Sequence, residues 1–142
     1  MLAVRRVVTL LLLLAIAGIA QATRSVAIVN LENNAIVGSG GKELTLGAVA
    51  QAIRVAGASQ PYPWTASGDS PGTLQLTTVV RGKHTVVINV TFDTKTYSIR
   101  YASSINLNYK KKAKDGTEII HPNYNVWVAQ LRHAIDTELR KL

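Results

Sequence analysis

Between Thr73 and Tyr101 the chain alternates apolar and polar side chains with a period of two. Leu74, Leu76, Thr78 and Val80 alternate with Thr73, Gln75, Thr77 and Val79. After Arg81-Gly82-Lys83, His84, Val86, Ile88, Val90 and Phe92 alternate with Thr85, Val87, Asn89 and Thr91. After Asp93-Thr94, Tyr97, Ile99 and Tyr101 alternate with Thr96, Ser98 and Arg100. Strict alternation broken by glycine- and aspartate-containing turns predicts a three-stranded antiparallel meander over about 73–102. One face is apolar. The other, carrying Gln75, Thr77, Thr85, Asn89, Thr91, Ser98 and Arg100, suits a sheet wetted on one side.

Two stretches change to the helical period. Leu46, Val49, Ala50, Ile53 and Ala56 predict a helix over about 45–57, capped by Thr45 and ended by Gly57 and Pro61. Tyr124, Trp127, Val128, Leu131, Ile135 and Leu139 form one stripe and predict a second helix over about 122–140, with Pro122 in its first turn. The intervals read less sharply. Residues 23–38 lean towards strand, with Glu32-Asn33-Asn34 as a turn, and Gly38-Ser39-Gly40-Gly41 reads as a hinge. Tyr62-Pro63-Trp64 carries apolar mass into a strand or loop, 67–72 is a turn cluster, and Ser103 to Ile120 reads as a long loop. A sheet with one apolar face and two amphipathic helices combine most economically as an α+β two-layer sandwich with both helices on that face.

The N-terminus has a different character. Arg5-Arg6, an apolar run from Val7 to Ala20 and Ala20-Gln21-Ala22 have the order of a cleavable secretory signal peptide, with Thr23 as the first mature residue. The run is shorter than the ~20 apolar residues of a spanning helix. An uncleaved anchor is the alternative. Without 1–22, a single small domain of 23–142 remains, expected in the periplasm with no stable membrane span. The absence of cysteine excludes a disulfide framework, a thiolate nucleophile and a lipidated N-terminal cysteine.

Sixteen Lys and Arg against eight Asp and Glu give a net charge of +8, and removal of Arg5 and Arg6 leaves +6. Lys110, Lys111, Lys112 and Lys114 concentrate four of the cations. In an exported chain this points to an envelope protein or an anionic lipid or glycan rather than to nucleic acid. The cluster also suits a plain solvated loop. Polar and aromatic residues flank the lysines: Ser104, Asn106 and Tyr109 before them, His121, Asn123 and Asn125 after. Together these ten residues are the candidate binding surface. The competing reading is structural, because Ser and Asn tie off loops and cap helices.

Catalysis finds little support. No G-x-S-x-G surrounds Ser103 or Ser104, and no acid stands at a fixed short spacing from His121. His84, His121 and His133 lack metal-ligand spacing, and no glycine-rich phosphate loop is present, so neither a metal nor a cofactor is expected. Two alternatives to a binding domain stay open: a small hydrolase-like enzyme using His121, and a structural envelope protein that dimerises through its polar sheet face.

Tyr97-Ser98-Ile99-Arg100-Tyr101, Ser104-x-Asn106-Leu107-x-Tyr109 and Ile120-His121-x-x-Tyr124-Asn125-x-Trp127 resemble a family of small uncharacterised envelope proteins and lipoproteins of Gram-negative bacteria. The likeness spans roughly 42–135. It implies export and a small α+β fold, and brings no activity with it. Relatives of this kind often carry a lipobox cysteine, which this chain lacks, and their loop at the lysine run is shorter.

Overall fold

The computed structural model describes residues 24–68 and 70–142. The segment read as a signal peptide lies outside them. Among the described residues, no helix is long and apolar enough to cross a membrane.

The elements are β1 (Val26–Ala27), β2 (Leu31–Ala35), α1 (Leu46–Ala58), β3 (Thr65–Ser67), β4 (Thr73–Val80), β5 (His84–Phe92), β6 (Thr96–Ile105), β7 (Lys110–Lys111), β8 (Glu118–Ile120) and α2 (Asn123–Leu139). β2-β6-β5-β4-β3 form a five-stranded antiparallel sheet, and β1-β8-β7 a three-stranded one. The architecture is the α+β sandwich that the periodicity predicts. The meander is β4-β5-β6, and both helices fall within one residue of their expected bounds.

The core follows from the alternation. Leu74, Leu76, Val86, Ile88, Val90, Tyr97 and Ile99 turn one face of the sheet inward, and Val49, Ile53, Ala56, Val128, Leu131 and Ile135 of the two helices cover it. Each fully buried aliphatic side chain of this kind contributes roughly 1.5–3 kcal/mol of transfer free energy. The Thr45 hydroxyl accepts from Ala48 N at 3.1 Å and so caps α1. Gly57 gives α1 its close approach to the next segment. A Cβ there would lie 3.1 Å from the Cβ of Trp64, and Trp64 N donates to Gly57 O.

Four details differ from the sequence reading. Glu32-Asn33-Asn34 is not a turn but the middle of β2, where a bulge sets Glu32 and Asn33 against Ser98 alone. Asn33 tolerates the positive φ of 50° this demands, and its N–H donates to Ser98 Oγ at 2.9 Å. Ser98 is therefore buried, although it lies on the polar face. A second bulge, at Ala102, moves Ser104 onto the inner face, opposite Val86. The supposed long loop contains the end of β6 and the β7-β8 hairpin. Its strands are too short to show alternation. Finally, Trp127 is half-buried at the margin of the core, while Tyr124, Val128, Leu131, Ile135 and Leu139 form the sealed stripe.

Candidate functional site

The ten residues of the expected surface separate into three groups. Lys110 and Lys111 form β7, and Lys112 and Lys114 lie in the turn to β8; all four are exposed. Lys112 N donates to Thr117 O, and Asp115 Oδ1 accepts from Thr117 N at 3.0 Å. That backbone bond, aided by the charge of Lys112, holds the Asp115 carboxyl below its ordinary range. Among the described residues none of the four lysines makes an ion pair with a side chain.

The second group is a tyrosine cluster at the root of this hairpin. Tyr101 and Tyr109 stack with ring centroids 4.8 Å apart, and Tyr124 meets Tyr101 edge-on at 5.5 Å. Tyr101 Oη and Ser104 Oγ are 2.9 Å apart, and Tyr109 donates to Glu118 Oε1 at 2.7 Å. The bond to Glu118 raises the Tyr109 phenol above its usual pKa, and burial does the same for Tyr101. Tyr124 is sealed, and its hydroxyl has no hydrogen-bond partner among the described residues.

The third group holds backbone. His121 N donates to Leu107 O at 2.8 Å, and His121 Nδ1 accepts from Asn123 N at 3.1 Å, where Pro122 offers α2 no side-chain cap. This leaves the proton of the neutral ring on Nε2. No carboxylate bonds to His121 among the described residues. Asn125 fastens β1 to α2: its Nδ2 donates to Ala27 O at 2.9 Å and its Oδ1 accepts from Val29 N at 3.1 Å. Asn106, at φ 59°, donates its Nδ2 to Lys83 O, and its own carbonyl lies 2.8 Å from His84 Nδ1.

The structure thus joins Ser104 and Tyr109 through Tyr101, and His121 to Asn123. The Asn106 and Asn125 side chains bond other backbone instead, Lys83 O and Ala27 with Val29. The structure also forms a concavity that the sequence does not reveal. Tyr62, Val80, Arg81, His84, Asn123 and Trp127 line a cavity of about 90 Å³. Its walls come from three distant segments, so no local spacing announces it. The one available signal was Arg81 beside Gly82. The Lys83 N to Val80 O bond closes a tight turn with Arg81 at φ 53° and Gly82 at φ 65°. Asn-Gly suits such a turn best, and a side chain such as arginine at positive φ costs about 1–2 kcal/mol.

Among the described residues no cluster of three His, Cys, Asp or Glu side chains could hold a metal ion. A scan of family models finds no match to this chain, and comparisons with curated proteins and with solved structures also return no similar protein. The envelope-family resemblance rests on its motif residues alone.

Proposed function

We propose that the mature chain is an exported, periplasmic binding domain that holds an anionic lipid or glycan surface of the envelope through the β7-β8 hairpin. The observation that carries this reading is the set of four exposed lysines on one short hairpin, with no acidic side chain paired to any of them among the described residues. Cations so placed keep their charge for a partner and act over about 8 Å at physiological ionic strength. The tyrosine cluster and the His121 and Asn125 bonds give the hairpin a rigid root. The family resemblance and the leader-like 1–22 support export. A catalytic His121 gains no support, because its Nδ1 is engaged by backbone and no carboxylate orients it.

The test is co-sedimentation of the 23–142 chain with vesicles containing phosphatidylglycerol, beside binding to a sulfated glycan resin. Binding that falls with salt, and is lost when Lys110, Lys111, Lys112 and Lys114 are all replaced by Gln, is expected. Salt-independent binding, or binding kept by the quadruple variant, refutes the reading.

A specific observation favours dimerisation through the sheet as the second reading. Among the described residues no element covers the outer face near the β4-β5 turn, where Val79 is 53% and Ile105 59% exposed. Both flank Thr85 in register. Analytical ultracentrifugation of the 23–142 chain and of Val79→Lys decides it: a dimer that the variant abolishes supports this reading, and a monomer at all concentrations ends it.

A further inference from the structure

The geometry points to the cavity between the β4-β5 turn and the start of α2 as a binding site for a small monocarboxylic acid with a flat apolar body. Arg81 supplies the charge. Its Nε reaches Tyr62 Oη only at 3.4 Å, and among the described residues no carboxylate pairs with it, whereas Arg100 and Arg132 pair with Glu32 and Asp136. Its terminal amino groups make no bond within the described protein, which leaves the planar guanidinium edge for a carboxylate.

The neighbouring groups are fixed for the same purpose. His84 Nδ1 donates to Asn106 O at 2.8 Å, so its Nε2 is the ring atom left for a ligand. Asn106 is anchored in turn to Lys83 O, inside the turn that carries Arg81. Two residues at positive φ, Arg81 and Asn106, therefore hold one small constellation. Asparagine is at ease there and arginine is not, so the position is occupied for the side chain and not for the turn.

Size and charge choose the ligand class. A cavity of about 90 Å³ displaces about three waters at roughly 30 Å³ each, enough for a carboxylate group but not for a large body. Arg81 is the one fixed charge among the lining residues, which suits a monoanion better than a phosphate dianion. The half-buried Trp127 indole, 6.5 Å from the His84 ring, and Tyr62 offer the apolar wall on which the remainder of the acid lies. The site uses none of the hairpin lysines, so it stands or falls apart from the surface-binding reading.

The test titrates benzoate, benzamide and acetate into the 23–142 chain and follows the two indole N–H resonances. Saturable movement of the Trp127 signal by benzoate is expected, with Trp64, which is buried, unmoved. Acetate should act more weakly and benzamide not at all. Arg81→Gln should weaken benzoate by about tenfold or more, the scale of a lost charge-assisted pair. Arg81→Gly guards against misfolding: it should abolish binding while raising the melting temperature, since glycine relieves the positive φ. The lysine quadruple variant should bind benzoate as before. A Trp127 resonance that benzoate leaves in place, equal movement by benzamide, or full binding by Arg81→Gly would overturn the assignment.

Discussion

Strands β4 and β5 bury side chains on one face along most of their length, and β6 buries Tyr97 and Ile99 there, whereas β1, β7 and β8 together bury only Ile120. The large sheet is held by the apolar area it hides under α1 and α2. The small sheet is held by polar side chains: Asn125 bonds the backbone of Ala27 and Val29, His121 bonds that of Asn123, and Tyr109 bonds the Glu118 carboxylate. The difference matters for reading function. Ser, Asn, His and Tyr gathered near a basic run look like a ligand site, yet here many of their polar atoms already have partners inside the protein. Among the described residues, the hairpin lysines and the terminal amino groups of Arg81 are by contrast without a carboxylate partner.

The largest effect that separates the two regions is a cavity in the shared core. Leu131 is fully buried, and Leu131→Ala should cost about 2–5 kcal/mol. In a small domain this is a large share of total stability. Urea titration should show one transition with a much lower midpoint. A loss below about 1 kcal/mol would mean that α2 is not part of the cooperative unit.

High pH should strain the boundary between the regions. Tyr97 and Tyr124 are raised well above the ordinary phenol value by burial, with the Asp136 hydrogen bond adding to the effect at Tyr97, and Tyr101 and Tyr109 are raised as well. The sign is fixed by linkage. Each phenol keeps its proton longer when folded, so its stabilisation is complete below the unfolded value of 10.0 and is lost as pH rises through the folded value. Stability should therefore fall steadily above about pH 10, and tyrosinate absorbance should climb steeply as the chain unfolds. A stability flat through that range would contradict the burial of these rings.

The same contrast explains what was legible in the sequence. The meander shows because one face is dry and the other wet, which prints a period of two into the chain. The helices show for the same reason, at their own period. β7 and β8 do not, because two- and three-residue strands held by side-chain bonds need no apolar alternation. The bulges at Asn33 and Ala102 leave no mark, since each is a matter of register with a distant strand. Trp127 fits the helical stripe by spacing, but the stripe is wider than the buried strip it overlies. The cavity beside it draws on Tyr62, Arg81 to His84, and Asn123 to Trp127, and only the folded chain brings these together. For the expected ten-residue surface, spacing found the lysines and could not tell which polar groups were already bonded.

Asn125→Ala tests the small sheet directly. Two hydrogen bonds disappear, from its amide to Ala27 O in β1 and from Val29 N just beyond β1. The cost should be about 1–2 kcal/mol, near the net value of one or two ordinary hydrogen bonds at a partly solvated position. Hydrogen exchange should accelerate at Val29 and in 24–30 while β4, β5 and β6 keep their protection. Uniform loss across the chain would show that the two sheets unfold as one.

The smallest effect comes from Tyr124, and its sign is the informative part. This side chain is fully buried, meets Tyr101 edge-on, and carries a hydroxyl with no partner among the described residues. A buried polar group without a partner costs about 1–3 kcal/mol, whereas the ring itself stabilises through the area it hides. Tyr124→Phe keeps the ring and removes only the oxygen, so stability should stay level or rise by up to about 1 kcal/mol. Tyr97→Phe is the control, because the Tyr97 hydroxyl donates to Asp136 Oδ1 at 2.5 Å. That variant should lose about 1.5–3 kcal/mol, the range for a bond to a charged group. Paired melting curves decide the matter. If Tyr124→Phe destabilises as much as Tyr97→Phe, the Tyr124 hydroxyl has a partner after all, and a buried water bridging it to the Tyr101–Ser104 pair becomes the natural candidate.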